Sequence, residues 1–168
     1  DFKMKRKRIL ALFLAAVSCL SLAVSASAAN TPNRKATDFR DFDRTAWYAE
    51  AVSAAVDNGL LYGKSSSIID PNGDMTRAEM AAIINRSFGC YVKADISKYK
   101  DVSKDKWYFE DVAMAVQMGT YNGRSNTAMA PDAPISRQEA MTVVARALEL
   151  DYDAYAKTDL SAFSDRSE

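Results

Sequence analysis

The sequence predicts an all-α fold in which one helix–loop–helix unit is used twice in tandem. Three observations predict it. Residues recur in pairs at an ungapped offset of 60; each copy holds two stretches with apolar residues spaced to share a helix face; and each second stretch follows a hydroxyl residue with a glutamate three positions on. Self-similarity at such a period marks stacked supersecondary units. The apolar spacing marks amphipathic helices, and the hydroxyl-to-glutamate spacing marks their starts.

Residues 1–28 read as an export signal. Lys5-Arg6-Lys7-Arg8 supplies the basic start, Ile9 to Val24 the apolar middle, and Ala26-Ser27-Ala28 a small-x-small cleavage site. Asp1-Phe2-Lys3 precede Met4, where synthesis is expected to begin. The apolar run is marginal for a membrane span, and Ser18, Ser21 and Ser25 interrupt it. No span is therefore expected once the signal is removed. Residues 29–38 are polar and read as a linker.

The first unit spans 39–98 and the second 99–150. The 60-residue offset places Trp47-Tyr48 on Trp107-Tyr108, Gly59 on Gly119, Gly63 on Gly123 and Pro71 on Pro131. It also places Arg77 on Arg137, Glu79 on Glu139 and Arg86 on Arg146. The pattern predicts a helix over Trp47–Asn58, with Val52, Ala55 and Val56 on its stripe and Gly59 as its stop. Trp107–Met118 repeats it, stopped by Gly119. The second helix of each unit is predicted behind Thr76-x-x-Glu79 or Ser136-x-x-Glu139, both capping boxes. Residues 151–162 read as a second linker. Phe163-Ser164-Asp165 repeats the openings Phe39-x-Asp41 and Tyr99-x-Asp101, so 163–168 is expected to begin a third unit. A two-helix unit cannot bury its apolar face alone, which requires the units to stack.

Composition narrows the chemistry. Lys and Arg total 22, Asp and Glu 22, and histidine is absent. That removes the commonest general base and metal ligand. Without residues 1–28, 17 basic and 21 acidic residues remain, a net charge of −4. Such a balance disfavours nonspecific nucleic-acid binding. The two cysteines are Cys19, within the export signal, and Cys90, so no internal disulfide or thiolate metal site is expected. No cofactor is implied. Asp70-Pro-Asn72-Gly-Asp74 imitates a calcium loop, but its glycine and following glutamate fall at the wrong positions. It reads as a turn.

The ordered set Phe39-x-Asp41, Trp47-Tyr48, Gly59, Gly63, Pro71 and Thr76-Arg77-Ala78-Glu79, repeated with Ser136-Arg137-Gln138-Glu139, resembles the S-layer homology domain. The resemblance implies units that usually come in threes and form part of a pseudo-threefold helical assembly. It implies noncovalent attachment of an exported protein to the bacterial cell wall, with no catalytic activity of its own. The implied ligand is an anionic secondary cell wall polymer, often pyruvylated, or a peptidoglycan-linked glycan, held in grooves between units. An enzyme's catalytic domain beyond residue 168, or a self-assembling helical array joined through the face a third unit would cover, are the alternatives.

The candidate ligand-binding residues are Arg77, Arg137, Trp47, Trp107, Tyr108, Gly63 and Gly123. Arg77 and Arg137 follow the cap, where a cation works against the helix dipole. That placement fits a guanidinium beside free helix N–H groups, suited to a carboxylate; it equally fits a pin to a neighbouring acid. Trp47 and Trp107 could stack on sugar rings or fill the core. Gly63 and Gly123 either admit a ligand close to the backbone or supply a turn. Asp41 and Asp101 are expected to cap or pin the first helix. A groove is expected to join Arg77 of the first unit to Trp107 and Tyr108 of the second.

Overall fold

The computed structural model describes residues 34–150. The export signal, the linker at 151–162 and the opening at 163–168 lie outside the described residues. A short 3-10 turn, Ala36–Asp38, leads into α1 (Ala49–Asp57), α2 (Arg77–Phe88), α3 (Phe109–Gln117) and α4 (Arg137–Ala147). Among the described residues there are helices and loops, with one isolated bridge between Thr76 and Pro134. No described helix is long and apolar enough to cross a membrane.

The two units are built alike because the same local signals act in both. Helices α1 and α3 begin two residues later than the periodicity predicts. Tyr48 and Tyr108 occupy the N-cap, leaving both tryptophans in the preceding turn. Both second helices carry the full capping box. The Thr76 hydroxyl accepts from the Glu79 amide at 3.2 Å and the Glu79 carboxylate from the Thr76 amide at 2.8 Å. Ser136 and Glu139 repeat this at 3.1 and 2.9 Å. The Asp70–Asp74 stretch is the turn that its sequence implies, closed by the Gly73 amide on the Asp70 carbonyl.

Asp41 and Asp101 are structural, but they hold a different element from the one expected. The Asp41 carboxylate accepts the amides of Ile69 and Asp70 at 3.0 and 2.7 Å. Asp101 does the same for Met129 and Ala130. Each acid thus clasps the loop ahead of the second helix. Phe39 and Tyr99, two residues earlier, press against Gly63 and Gly123 in that same loop. The aromatic-x-Asp opening is therefore a two-point clamp that folds the glycine loop back over its own unit.

Burial is shared between units. The main core joins Ala78, Ala81 and Ile84 of α2 to Tyr108, Val112 and Ala115 around α3, with Tyr121, Met129 and Val143 behind them. The smaller cluster, Phe39, Val56 and Ile69 with Ala36, belongs to unit one. Helix α2 packs chiefly on α3 of the other unit. Val112 is buried there, whereas its counterpart Val52 is only half-buried. Burying such a side chain is worth about 1.5–3 kcal/mol, so stacking supplies what one unit lacks.

The joint is also hydrogen-bonded. The Arg77 and Ala78 amides at the start of α2 donate to the carbonyls of Ala133 and Pro131 at 3.0 and 2.9 Å, and the Ile135 amide donates to the Met75 carbonyl at 2.9 Å. Those helix-terminal N–H groups are consumed by the second unit. The open helix start imagined for an anion at Arg77 does not exist.

Candidate functional site

Two grooves lie at equivalent places in the two units. The first, about 470 Å³, runs between the Gly63 loop and α2, and Trp107 of the second unit forms part of its wall. The second, about 270 Å³, runs between the Gly123 loop and α4. Each holds a cation directly after the glycine, Lys64 or Arg124, and another on the second helix, Arg86 or Arg146.

In the first groove the Lys64 ammonium bonds Glu79 at 2.8 Å and the Asp74 carbonyl at 2.9 Å. Arg86 donates to the Leu60 carbonyl at 3.1 Å and stacks over the Tyr62 ring at 4.0 Å. Apolar side chains, among them Val52, Leu61 and Ile83, form much of the remaining wall. In the second groove Arg124 reaches Glu139 at 3.2 Å, and Arg146 makes a long 3.4 Å bond to the Thr120 carbonyl. Thr120, Asn122, Gln138 and Thr142 line this groove beside Tyr121 and Val143. Burial tends to raise the carboxyl pKa of both glutamates. The Lys64 and Thr76 bonds to Glu79, and the Ser136, Arg124 and Arg77 interactions with Glu139, outweigh it and hold both below the usual range.

The predicted site residues divide between these grooves. Arg77 is 5% exposed. Its guanidinium bonds Glu139 at 2.8 Å, the Met129 carbonyl at 3.0 Å and the Asn122 carbonyl at 3.2 Å, and it lies over the Tyr121 ring. It pins unit to unit and forms the deep side of the second groove. Trp107 belongs to the first groove. The expected pocket joining Arg77 to Trp107 is therefore not formed.

Tyr108 is buried rather than at a groove rim, and its hydroxyl donates to Asp132 at 2.9 Å. Trp107, by contrast, is 59% exposed and meets the Tyr108 ring edge-on. Trp47, at 95% exposure, stands off both grooves. Arg137 is exposed and has no hydrogen-bond partner for its guanidinium among the described residues. Gly63 and Gly123 each line a groove, but the space a side chain would take is filled from within by Phe39 and Tyr99.

Lys64, Arg124, Arg86 and Arg146 were missed as site residues. The signal was present: both cation pairs fall on the 60-residue offset, and the first pair follows the paired glycines directly.

Burial, then the bond to Asp132, pushes the Tyr108 phenol up to about 12. The folded state thus holds this proton where an unfolded tyrosine has released it. The stability this provides is complete below pH of about 10 and lost as pH rises towards about 12. Unfolding free energies measured from pH 9 to 12 are expected to fall less steeply for Tyr108→Phe. Identical slopes would show that Tyr108 ionises freely in the fold.

Comparison with known proteins agrees with the repeat. The S-layer homology domain profile matches residues 38–81 and 98–141. The "Surface-layer 125 kDa protein" of Lysinibacillus sphaericus is 33% identical over 92% of this chain and 13% of its own length. An "Endoglucanase" from Bacillus sp. (strain KSM-635) is 26% identical over 92% of the chain and 16% of its own length. A "Cell surface protein" of Thermoanaerobacter kivui is 28% identical over 80% of the chain and 18% of its own length. The chain spans under a fifth of each of these relatives. Two tandem units, clamped loops and a stacked joint, matched by the profile in both copies, show that the chain belongs to the S-layer homology domain family, the cell-surface anchoring module of exported, wall-associated proteins.

Proposed function

We infer that this segment anchors an exported protein noncovalently to the cell wall by binding an acidic, pyruvylated secondary wall polysaccharide in its two grooves. The observation that carries the reading is the paired cations behind the paired glycines: the same two positions, 60 residues apart, face a groove in each unit. Trp107 adds a partly exposed indole, whose face suits the C–H side of a sugar ring. Among the described residues the grooves supply binding groups and no nucleophile–base pair. A surface-layer protein and an endoglucanase share this segment, which fits a property common to both.

The test is sedimentation of the whole chain with purified wall sacculi, before and after acid removal of the secondary polymer. Binding is expected to fall at least about tenfold on stripped walls, and as much in the Arg86→Gln, Arg146→Gln double variant, with its folding checked by circular dichroism. Undiminished binding in either arm overturns the reading. Depyruvylated walls then report whether the ketal acid is required.

A second reading concerns the cargo. The endoglucanase and an "Exoglucanase XynX" of Acetivibrio thermocellus, 24% identical over 78% of the chain, favour a polysaccharide-degrading enzyme carried by this anchor. Self-association has its own motive: Trp47 and Arg137 are exposed among the described residues.

A further inference from the structure

We propose that the two grooves sort sugar units by charge: the second groove takes a carboxylate-bearing unit, and the first an uncharged or amine-bearing one. The proposal rests on the glycan reading above and adds a division of labour to it.

The first groove carries Lys64 and Arg86 against Asp70, Asp74 and Glu79, two cations facing three carboxylates, a net of −1. The second carries Arg77, Arg124 and Arg146 against Glu139 alone, a net of +2. The cations also differ in what they have left to give. Lys64 is engaged twice, by Glu79 and by the Asp74 carbonyl. In the second groove Arg77 and Arg124 share Glu139, and Arg77 is further engaged by the Met129 and Asn122 carbonyls, so the cation left to give is Arg146, which has only its long bond to Thr120. Its depth adds a further donor. The Tyr121 hydroxyl is buried without a partner among the described residues, beside an Arg77 that is itself 5% exposed.

The walls differ in the residues that line them. Trp107, Leu61, Val52 and Ile83 offer the first groove apolar contact, matching the faces of a neutral ring. Asn122 and Gln138 line the second groove with side-chain amides, while the Thr120 and Thr142 hydroxyls already donate to backbone carbonyls. Across a wet groove one unit charge about 5 Å away changes affinity roughly three- to tenfold, less at high salt. The difference of three charges between the grooves is therefore enough to set a preference.

The experiment titrates the isotope-labelled whole chain with three probes: the methyl glycosides of an N-acetylated hexosamine, of its pyruvate ketal, and of the free hexosamine. Amides of Gly123 and Thr142 report the second groove. The Trp107 indole, distinguished from Trp47 with Trp47→Phe, reports the first. The ketal is expected to bind the second groove at least about tenfold more tightly than the neutral sugar, and this advantage is expected to shrink in 0.5 M salt. Trp107 is expected to respond to the neutral and amine sugars in preference to the ketal. Asp74→Lys, in an exposed turn, should raise ketal affinity at Trp107 about tenfold. A ketal that binds the first groove as tightly as the second, or an Asp74→Lys variant without effect at Trp107, overturns the sorting while leaving glycan binding intact. Silence of both grooves towards all three probes overturns the glycan reading as well.

Discussion

Arg77→Ala is expected to lower the free energy of unfolding by about 3 kcal/mol, while Arg137→Ala, the same residue one repeat later, changes it by less than about 0.5 kcal/mol. The two arginines follow equivalent caps and face opposite situations. Arg77 is sealed between the units, with Glu139 and the carbonyls of Met129 and Asn122 as partners. Truncation strips a buried acceptor of its donor and opens a gap over the Tyr121 ring. The loss has a ceiling, because Arg124 still neutralises Glu139. Arg137 is exposed, and its removal leaves no group unpaired among the described residues. Arg77→Lys should fall between, since an ammonium keeps the charge but not the planar fork that reaches three acceptors. Urea unfolding of the three variants measures this. A loss below about 1 kcal/mol for Arg77→Ala would mean that apolar packing and the backbone hydrogen bonds hold the joint without the guanidinium.

How much of this was legible beforehand depends on distance along the chain. The capping boxes at Thr76 and Ser136, the glycine stops and the helix stripes are set by residues a few positions apart, so the pattern exposes them. The repeat adds the stacking requirement. The site was harder because its contacts join residues far apart. A guanidinium after a cap suits a ligand or a pin, and only the fold brings Glu139, 62 residues on, beside Arg77. The sequence places Trp107 and Tyr108 together in one expected groove, yet neighbours at a helix start point in different directions. The indole faces the groove and the phenol turns inward to Asp132, 24 residues away. Asp41 was tied to the nearest helix, whereas its acceptor oxygens serve amides 28 and 29 residues downstream. The groove cations were visible as repeated charges. A repeated charge alone does not distinguish a solvated surface from a cavity wall.

Three glycine-to-alanine changes should rank in cost as Gly119, Gly123, Gly63, because each meets a different obstacle. Gly119 has φ of 78° and open space where a side chain would go. Alanine there incurs only the left-handed backbone penalty, about 1 kcal/mol. Gly123 does not require a positive φ, but an added Cβ would lie 2.5 Å from the Ser125 carbonyl oxygen and 2.5 Å from the Tyr99 ring. Backbone cannot rotate aside as a side-chain end can, so about 2 kcal/mol of overpacking is expected. Gly63 combines both: φ of 82°, with Phe39 at 2.5 Å and the Ile68 carbonyl oxygen at 2.6 Å. The expected cost is about 3 kcal/mol or more. Phe39 is 3% exposed and belongs to the small core of unit one, so it has no room to retreat. The same strain displaces the loop that carries Lys64, which links this change to function: Gly63→Ala should weaken the first groove before the second. Denaturant unfolding gives the ranking, and the Trp107 and Gly123 resonances give the local effect. A Gly119→Ala variant as unstable as Gly63→Ala would show that torsion alone decides, and that the aromatic-on-glycine clamp contributes nothing.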